Sequence, residues 1–259
     1  MIDCHIHLER GPYTQEWLQE FINTALDRGL DEIYLLEHSH RFREFAPMYQ
    51  PICMYNQYQR EWYERHNTQQ SVTAYHEFIK KTPCLSFPIK IRFGLEVCYF
   101  EEQEGLIGEI LRSFPYDFVI GSVHWIDGFG FDHKKEFWNG LDVDRLYIRY
   151  YEIMENLIKS GLFTGIAHPD SIKVFGYQPK FDLSETYERI ASLLNQYGMY
   201  AEQSGGLHLN YGTDCELGMN STMRKIFLDQ GVHIQTASDA HRPEDVGANI
   251  KELIELLHT

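Results

Sequence analysis

Short apolar runs alternate with segments of helical period along the whole chain, and this alternation restricts the fold more than any other feature. The strands are expected at 2–8, 32–38, 89–99, 117–125, 163–168, 199–204 and 233–241. Helices are expected at 14–28, 71–80, 103–114, 143–159, 183–197, 220–230 and 244–257. Thr14 is placed to cap the first helix and Gly29 to stop it, while Trp17, Phe21, Ile22 and Ala25 form its apolar stripe. Alternation of this kind produces a parallel sheet covered by helices. About seven such units, with no Pro/Gly/Ser-rich linker between them, favour one domain over residues 1–259 that closes into a barrel, although periodicity alone does not separate a barrel from an open sheet. Two stretches break the rhythm, an irregular aromatic-rich segment at 41–70 and a glycine-bearing one at 127–140. Both follow the C-terminal end of a strand, where long loops are commonly functional.

Six of the thirteen histidines fall at those strand ends. His5 and His7 close the first strand at a spacing that puts both on one face. His38 ends the second strand, His124 the fourth, His168 the fifth and His241 the last. Glu96 lies near the end of the third strand, and Asp239 precedes His241 by two. A carboxylate inside an apolar strand is costly without a partner, and in a β/α barrel all these ends meet on the face that carries active sites. Clustered imidazoles and carboxylates with almost no thiol suit zinc, iron or manganese. Eight ligands exceed one tetrahedral site and imply two or three metals, with Glu96 able to bridge. The chemistry indicated is metal-assisted hydrolysis, since closely spaced metals generate hydroxide from bound water and can clamp the attacking and leaving oxygens of a phosphoryl displacement.

Composition narrows the alternatives. The net charge of −15 leaves no cationic surplus for nucleic acid or an anionic membrane. No apolar run reaches the length of a membrane span. The N-terminus lacks the basic and apolar regions of a signal peptide, so a cytoplasmic protein is expected. Cys4, Cys53, Cys84, Cys98 and Cys215 are odd in number and contain no C-x-x-C, which argues against a disulfide framework or a four-cysteine zinc site. Neither a G-x-S-x-G elbow, a phosphate-binding P-loop, an H-E-x-x-H helix nor a G-x-G-x-x-G turn occurs.

Taken in order, H-x-H at 5–7, His38, Gly94-Leu95-Glu96, Ser122-Val123-His124, Ala167-His168-Pro169-Asp170 and Ser238-Asp239-Ala240-His241 resemble the PHP (polymerase and histidinol phosphatase) superfamily. The similarity spans essentially the whole chain and is nearest the monofunctional histidinol-phosphate phosphatase branch, with Arg242-Pro243-Glu244-Asp245-Val246-Gly247 as a specific continuation. The resemblance implies a distorted seven-stranded, TIM-like (β/α) barrel with its metals at the C-terminal strand ends. His5, His7, Glu96 and Asp239 would hold the first metal, Glu96, His124 and His168 the second, and His38 and His241 would belong to a third. It further implies a histidine-biosynthetic phosphomonoesterase in which a metal-bridging hydroxide attacks L-histidinol phosphate. The alternative is the same chemistry on another small phosphomonoester, a nucleotide or phosphotyrosine. Asp239, His38 and His241 are the candidates for direct catalytic roles.

Two departures stand out. Many members carry a further histidine six residues after the H-x-H, completing the third metal site; here that residue is Tyr13, and Glu9 is the candidate replacement. The basic residues usual for phosphate recognition are replaced by Val174 and His208. Lys173, Arg41, Arg242, His208 and His40 are therefore the candidate substrate-binding residues.

Overall fold

The computed structural model describes residues 1–82 and 87–258, so Cys84 lies outside the described residues. Its strands are β1 (Ile2–His7), β2 (Glu32–Leu36), β3 (Lys90–Cys98), β4 (Phe118–Ser122), β5 (Trp125–Ile126), β6 (Phe129–Gly130), β7 (Gly165–Ile166), β8 (Tyr200–Ser204) and β9 (Ile234–Ala237). Seven of them form one parallel sheet in the order β1-β2-β3-β4-β7-β8-β9. Its two edges meet: His7 N donates to Ala240 O at 2.7 Å and Asp239 N to His5 O at 3.0 Å. The barrel expected from the alternation is therefore present and nearly closed.

A buried acid ties that seam. The Asp3 carboxylate accepts from Ser238 N at 2.8 Å, Ser238 Oγ at 2.6 Å and Gly247 N at 2.8 Å. Burial pushes its pKa up to about 6, against the pull of these donors. A small cluster including Cys4, Leu36, Ile120, Ala167 and Ala237 packs separately from the main core, which lies between the strands and the helices.

The helices are α1 (Gln15–Asp27), α2 (Gln50–Tyr55), α3 (Gln57–His66), α4 (Val72–Lys81), α5 (Glu104–Leu111), α6 (Val143–Lys159), α7 (Ser184–Tyr197), α8 (Ser221–Asp229) and α9 (Ile250–Leu256). Thr14 caps α1, its side chain accepting from Trp17 N. The helix expected at 143–159 is matched end to end. It buries Tyr147, Tyr150, Tyr151, Met154, Leu157 and Ile158 on one face. The last helix starts only at Ile250, later than its apolar spacing implies, because Gly247 (φ +78°) and Asn249 (φ +60°) adopt left-handed conformations that no helix contains.

Both interrupting segments differ from the irregular loops expected. Residues 41–70 contain the helical pair α2–α3, with the Asn56 side chain accepting from Gln59 N to start α3. Within 127–140, Asp127 (φ +48°) and Gly128 (φ +88°) make the turn of the β5–β6 hairpin. Positive φ at both central residues is what a tight two-residue hairpin requires, and Asp-Gly is its usual sequence.

Candidate metal centre

The strand ends deliver their side chains to one place. Glu96 occupies the centre and is 1% exposed. Its Oε2 lies 3.2 Å from His5 Nε2, 3.4 Å from His7 Nε2 and 3.1 Å from His38 Nε2. Its Oε1 lies 3.1 Å from His124 Nε2 and 3.4 Å from His168 Nε2. Asp239 Oδ1 lies 3.5 Å from the Nε2 atoms of both His5 and His7. Glu9 Oε2 is 3.2 Å from His38 Nδ1, and Glu9 Oε1 is 3.6 Å from His241 Nε2. Donor atoms thus fall into three groups compatible with metal ions: His5, His7 and Glu96; Glu96, His124 and His168; and His7, Glu9, His38 and His241.

Two of these residues hold strained backbones. His168 (φ +27°) and Asp239 (φ +58°) are non-glycine residues at positive φ, which costs free energy unless the surroundings enforce it. At Asp239 the enforcing contacts are visible. Asn210 Nδ2 donates to its carbonyl at 3.0 Å and to Oδ2 at 3.1 Å. Gly206 leaves the room, since a Cβ there would stand 2.2 Å from Asp239 Oδ2.

The donor chemistry fits metals. Glu202 faces His5 Nδ1 at 3.0 Å, Asp132 faces His124 Nδ1 at 2.8 Å, and the Asp239 carbonyl faces His241 Nδ1 at 2.9 Å. Each acceptor holds the proton on Nδ1, so each Nε2 lone pair points inward. Lone pairs facing one another and facing carboxylates need cations between them. His5 Nε2 and His7 Nε2 approach to 2.8 Å, and Glu96 Oε2 has no hydrogen-bond donor. Burial by itself would raise the Glu96 pKa, but His38, His124, His168 and His5 together hold it well below the usual carboxylate range. Glu9 and Asp239 are depressed in the same way, burial being outweighed mainly by His38 and His5 respectively.

Asp132 belongs to the site beyond the residues expected from the sequence, and it carries a prediction. Asp132→Asn keeps the shape but removes the charge that orients His124. The variant is expected to lose about 10- to 100-fold in kcat/KM on an aryl phosphate, or in metal affinity. Steady-state kinetics with elemental analysis reads both; unchanged values would remove Asp132 from this role.

The centre opens into a cavity of about 340 Å³ whose lining includes Glu9, Arg10, His40, Tyr58, Trp62, His66, Trp125, Asp132, His133, Asn210 and Tyr211. Of the candidate substrate-binding residues, only His40 lines it. The Arg41 guanidinium lies 3.5 Å from Glu9 Oε2 and 3.4 Å from Glu37 Oε2, and donates to Glu9 O at 2.8 Å. Lys173 is buried against Asp170 at 2.8 Å and lines a different cavity, between α6, α7 and α8. His208 does not line the metal cavity, and burial followed by Lys173 lowers its pKa. Arg242 is exposed beside Glu244. Tyr13 packs on Tyr75 and Phe78 outside the cavity, and Glu9 stands next to His38 and His241 instead.

Fold and site together define a barrel carrying a polynuclear metal centre, and the PHP domain matches residues 3–204: the chain belongs to the PHP domain family. Among its relatives, a protein of Deinococcus radiodurans named a probable histidinol-phosphatase is 27% identical over 98% of this chain and 91% of its own length. The histidinol-phosphatase of Lactococcus lactis is 30% identical over 48% of this chain and 39% of its own length. A crystal structure of the Lactococcus lactis histidinol phosphate phosphatase, holding zinc, L-histidinol and phosphate, superposes with a TM-score of 0.71 at 20% identity, covering 99% of this chain and 92% of that one. A structure from Listeria monocytogenes gives a TM-score of 0.74 at 17% identity, covering 97% and 99%. At these identities the two structures establish the shared fold.

Proposed function

We propose that residues 1–259 act as a single metal-dependent phosphomonoesterase that hydrolyses L-histidinol phosphate to L-histidinol and phosphate. The observation that carries this reading is the buried Glu96 carboxylate met by five imidazole nitrogens at 3.1–3.4 Å in an open cavity. His5, His7, Glu96 and Asp239 are assigned to one metal, Glu96, His124 and His168 to a second, and Glu9, His38 and His241 to a third, with zinc, iron or manganese as occupants. When bound, these ions supply an activated water and the positive charge that a phosphoryl group needs. Glu202 and Asp132 keep His5 and His124 in the tautomer that can ligate. Asp239 Oδ2, held by Asn210, is the carboxylate oxygen assigned to proton handling beside His38 and His241. Among the described residues no helix is long and apolar enough to cross a membrane.

The leaving group would occupy the wall formed by Tyr58, Trp62, His66 and Trp125, which suits a flat ring. That wall suits phosphotyrosine or a nucleotide as well, which makes them the second reading. A phosphate-release screen over histidinol phosphate, nucleoside monophosphates and phosphotyrosine peptides separates the two. The specificity constant for histidinol phosphate is expected to exceed the others by about 100-fold or more, since a site built to pair a substrate's polar groups strongly rejects analogues lacking them. Equal constants would defeat this substrate assignment and leave the phosphomonoesterase reading standing.

A further inference from the structure

We propose that Arg10 is the residue that binds the substrate's phosphate, in place of the basic positions that this chain lacks; the inference rests on the phosphomonoesterase reading above. Arg10 is the one Lys or Arg among the described residues that line the metal cavity, and no hydrogen bond, ion pair or ring contact engages it. Every other basic candidate is committed elsewhere: Arg41 to Glu9 and Glu37, Lys173 to Asp170, and Arg242 to the outer surface beside Glu244.

The backbone that presents Arg10 is fixed although its side chain is free. Residues 8–11 form a turn directly after β1, with Gly11 N donating to Leu8 O at 3.2 Å. Trp17 Nε1 also donates to Leu8 O at 2.9 Å, and Arg41 donates to Glu9 O. Gly11 is packed so tightly on Trp17 that a Cβ would stand 2.3 Å from its ring. The turn thereby sends Glu9 inward to His38 and His241 and leaves the adjacent Arg10 on the exposed edge of the same cavity. A planar fork of donors beside that centre matches the non-reacting oxygens of a phosphate monoester dianion.

The test uses the metal-loaded full chain with Arg10→Gln and Arg10→Lys. Arg10 is exposed and unpartnered, so neither change is expected to disturb folding or metal content, which circular dichroism and elemental analysis check. In Arg10→Gln the affinity for inorganic phosphate, measured by calorimetry, and the KM for an aryl phosphate should each weaken by about tenfold or more. The kcat should move far less, because the contact binds the phosphate equally before and at the transition state. Arg10→Lys should recover part of the loss, as a point charge without the fork. Phosphate affinity and KM that stay at the parent values in Arg10→Gln would overturn the assignment, as would a parent protein that binds no phosphate. Failure of the broader reading would show separately, as absence of aryl phosphate turnover in the parent enzyme.

Discussion

Glu96→Gln is expected to lower kcat/KM by about a thousandfold, on the order of 4 kcal/mol of transition-state stabilisation at roughly 1.4 kcal/mol per decade. No other side chain meets so many of the inward-facing nitrogens. One oxygen faces His5, His7 and His38, and the other faces His124 and His168. Glutamine preserves the volume but turns one oxygen into an amide that cannot ligate a metal, and it removes the charge between two donor groups. Losing one imidazole leaves the remaining donors of its group; losing this carboxylate weakens two groups at once. The variant should therefore also retain at least one metal fewer per chain by elemental analysis. A circular-dichroism spectrum that matches the parent's separates a lost ligand from a damaged fold. Turnover within tenfold of the parent at full metal content would show that Glu96 does not join the two groups.

The parts of this site that were legible in the sequence are those delivered by regular strands. His5, His7, Glu96 and the strand-end histidines follow from period-2 alternation and from the convergence of barrel strands, so their meeting could be anticipated before any coordinates. Glu202 could have been found by the same rule, because a glutamate within the apolar stretch of β8 needs a buried partner, and His5 is that partner. Residues on the connections were harder, since their direction depends on local turns. Arg10 lies one residue beyond an expected ligand, yet only the turn at 8–11 shows that it faces the cavity. Lys173 was misleading for the opposite reason: it follows a site histidine closely, but the Asp170 pair turns it toward a different cavity. Asp132 does have a signal in the sequence. The Asp127-Gly128 dipeptide marks a tight hairpin, and a tight hairpin after His124 folds the chain back to place Asp132 on that imidazole.

Removing the metals should both abolish turnover and lower the melting temperature, and the size of that drop should depend on pH in a defined direction. A ligand that binds only the folded state at a hundredfold excess over its dissociation constant adds about 2.7 kcal/mol. A domain of this size shifts by about 2–4 °C per kcal/mol, so stripping two or three ions should cost on the order of 10–30 °C at alkaline pH. Protons are the substitute cations in the stripped protein. Burial opposes charge on His5 and His124, but Glu202 and Asp239 around His5, and Asp132 beside His124, outweigh it and raise both pKa values well above the ordinary histidine range. A histidine whose folded pKa exceeds its unfolded value stabilises fully below the unfolded pKa, near 6.5, and loses that contribution as pH rises through the folded value. The stripped protein therefore weakens as pH climbs above about 6.5, while the loaded protein, whose imidazoles are already neutral ligands, does not. Thermal unfolding with and without chelator at about pH 6 and about pH 8.5 reads the difference directly. The gap should be small at the lower pH and wide at the higher one, and re-adding zinc, iron or manganese at about pH 8.5 should close it. A gap that is equal at both pH values would mean that protons and metals do not compete for the same nitrogens.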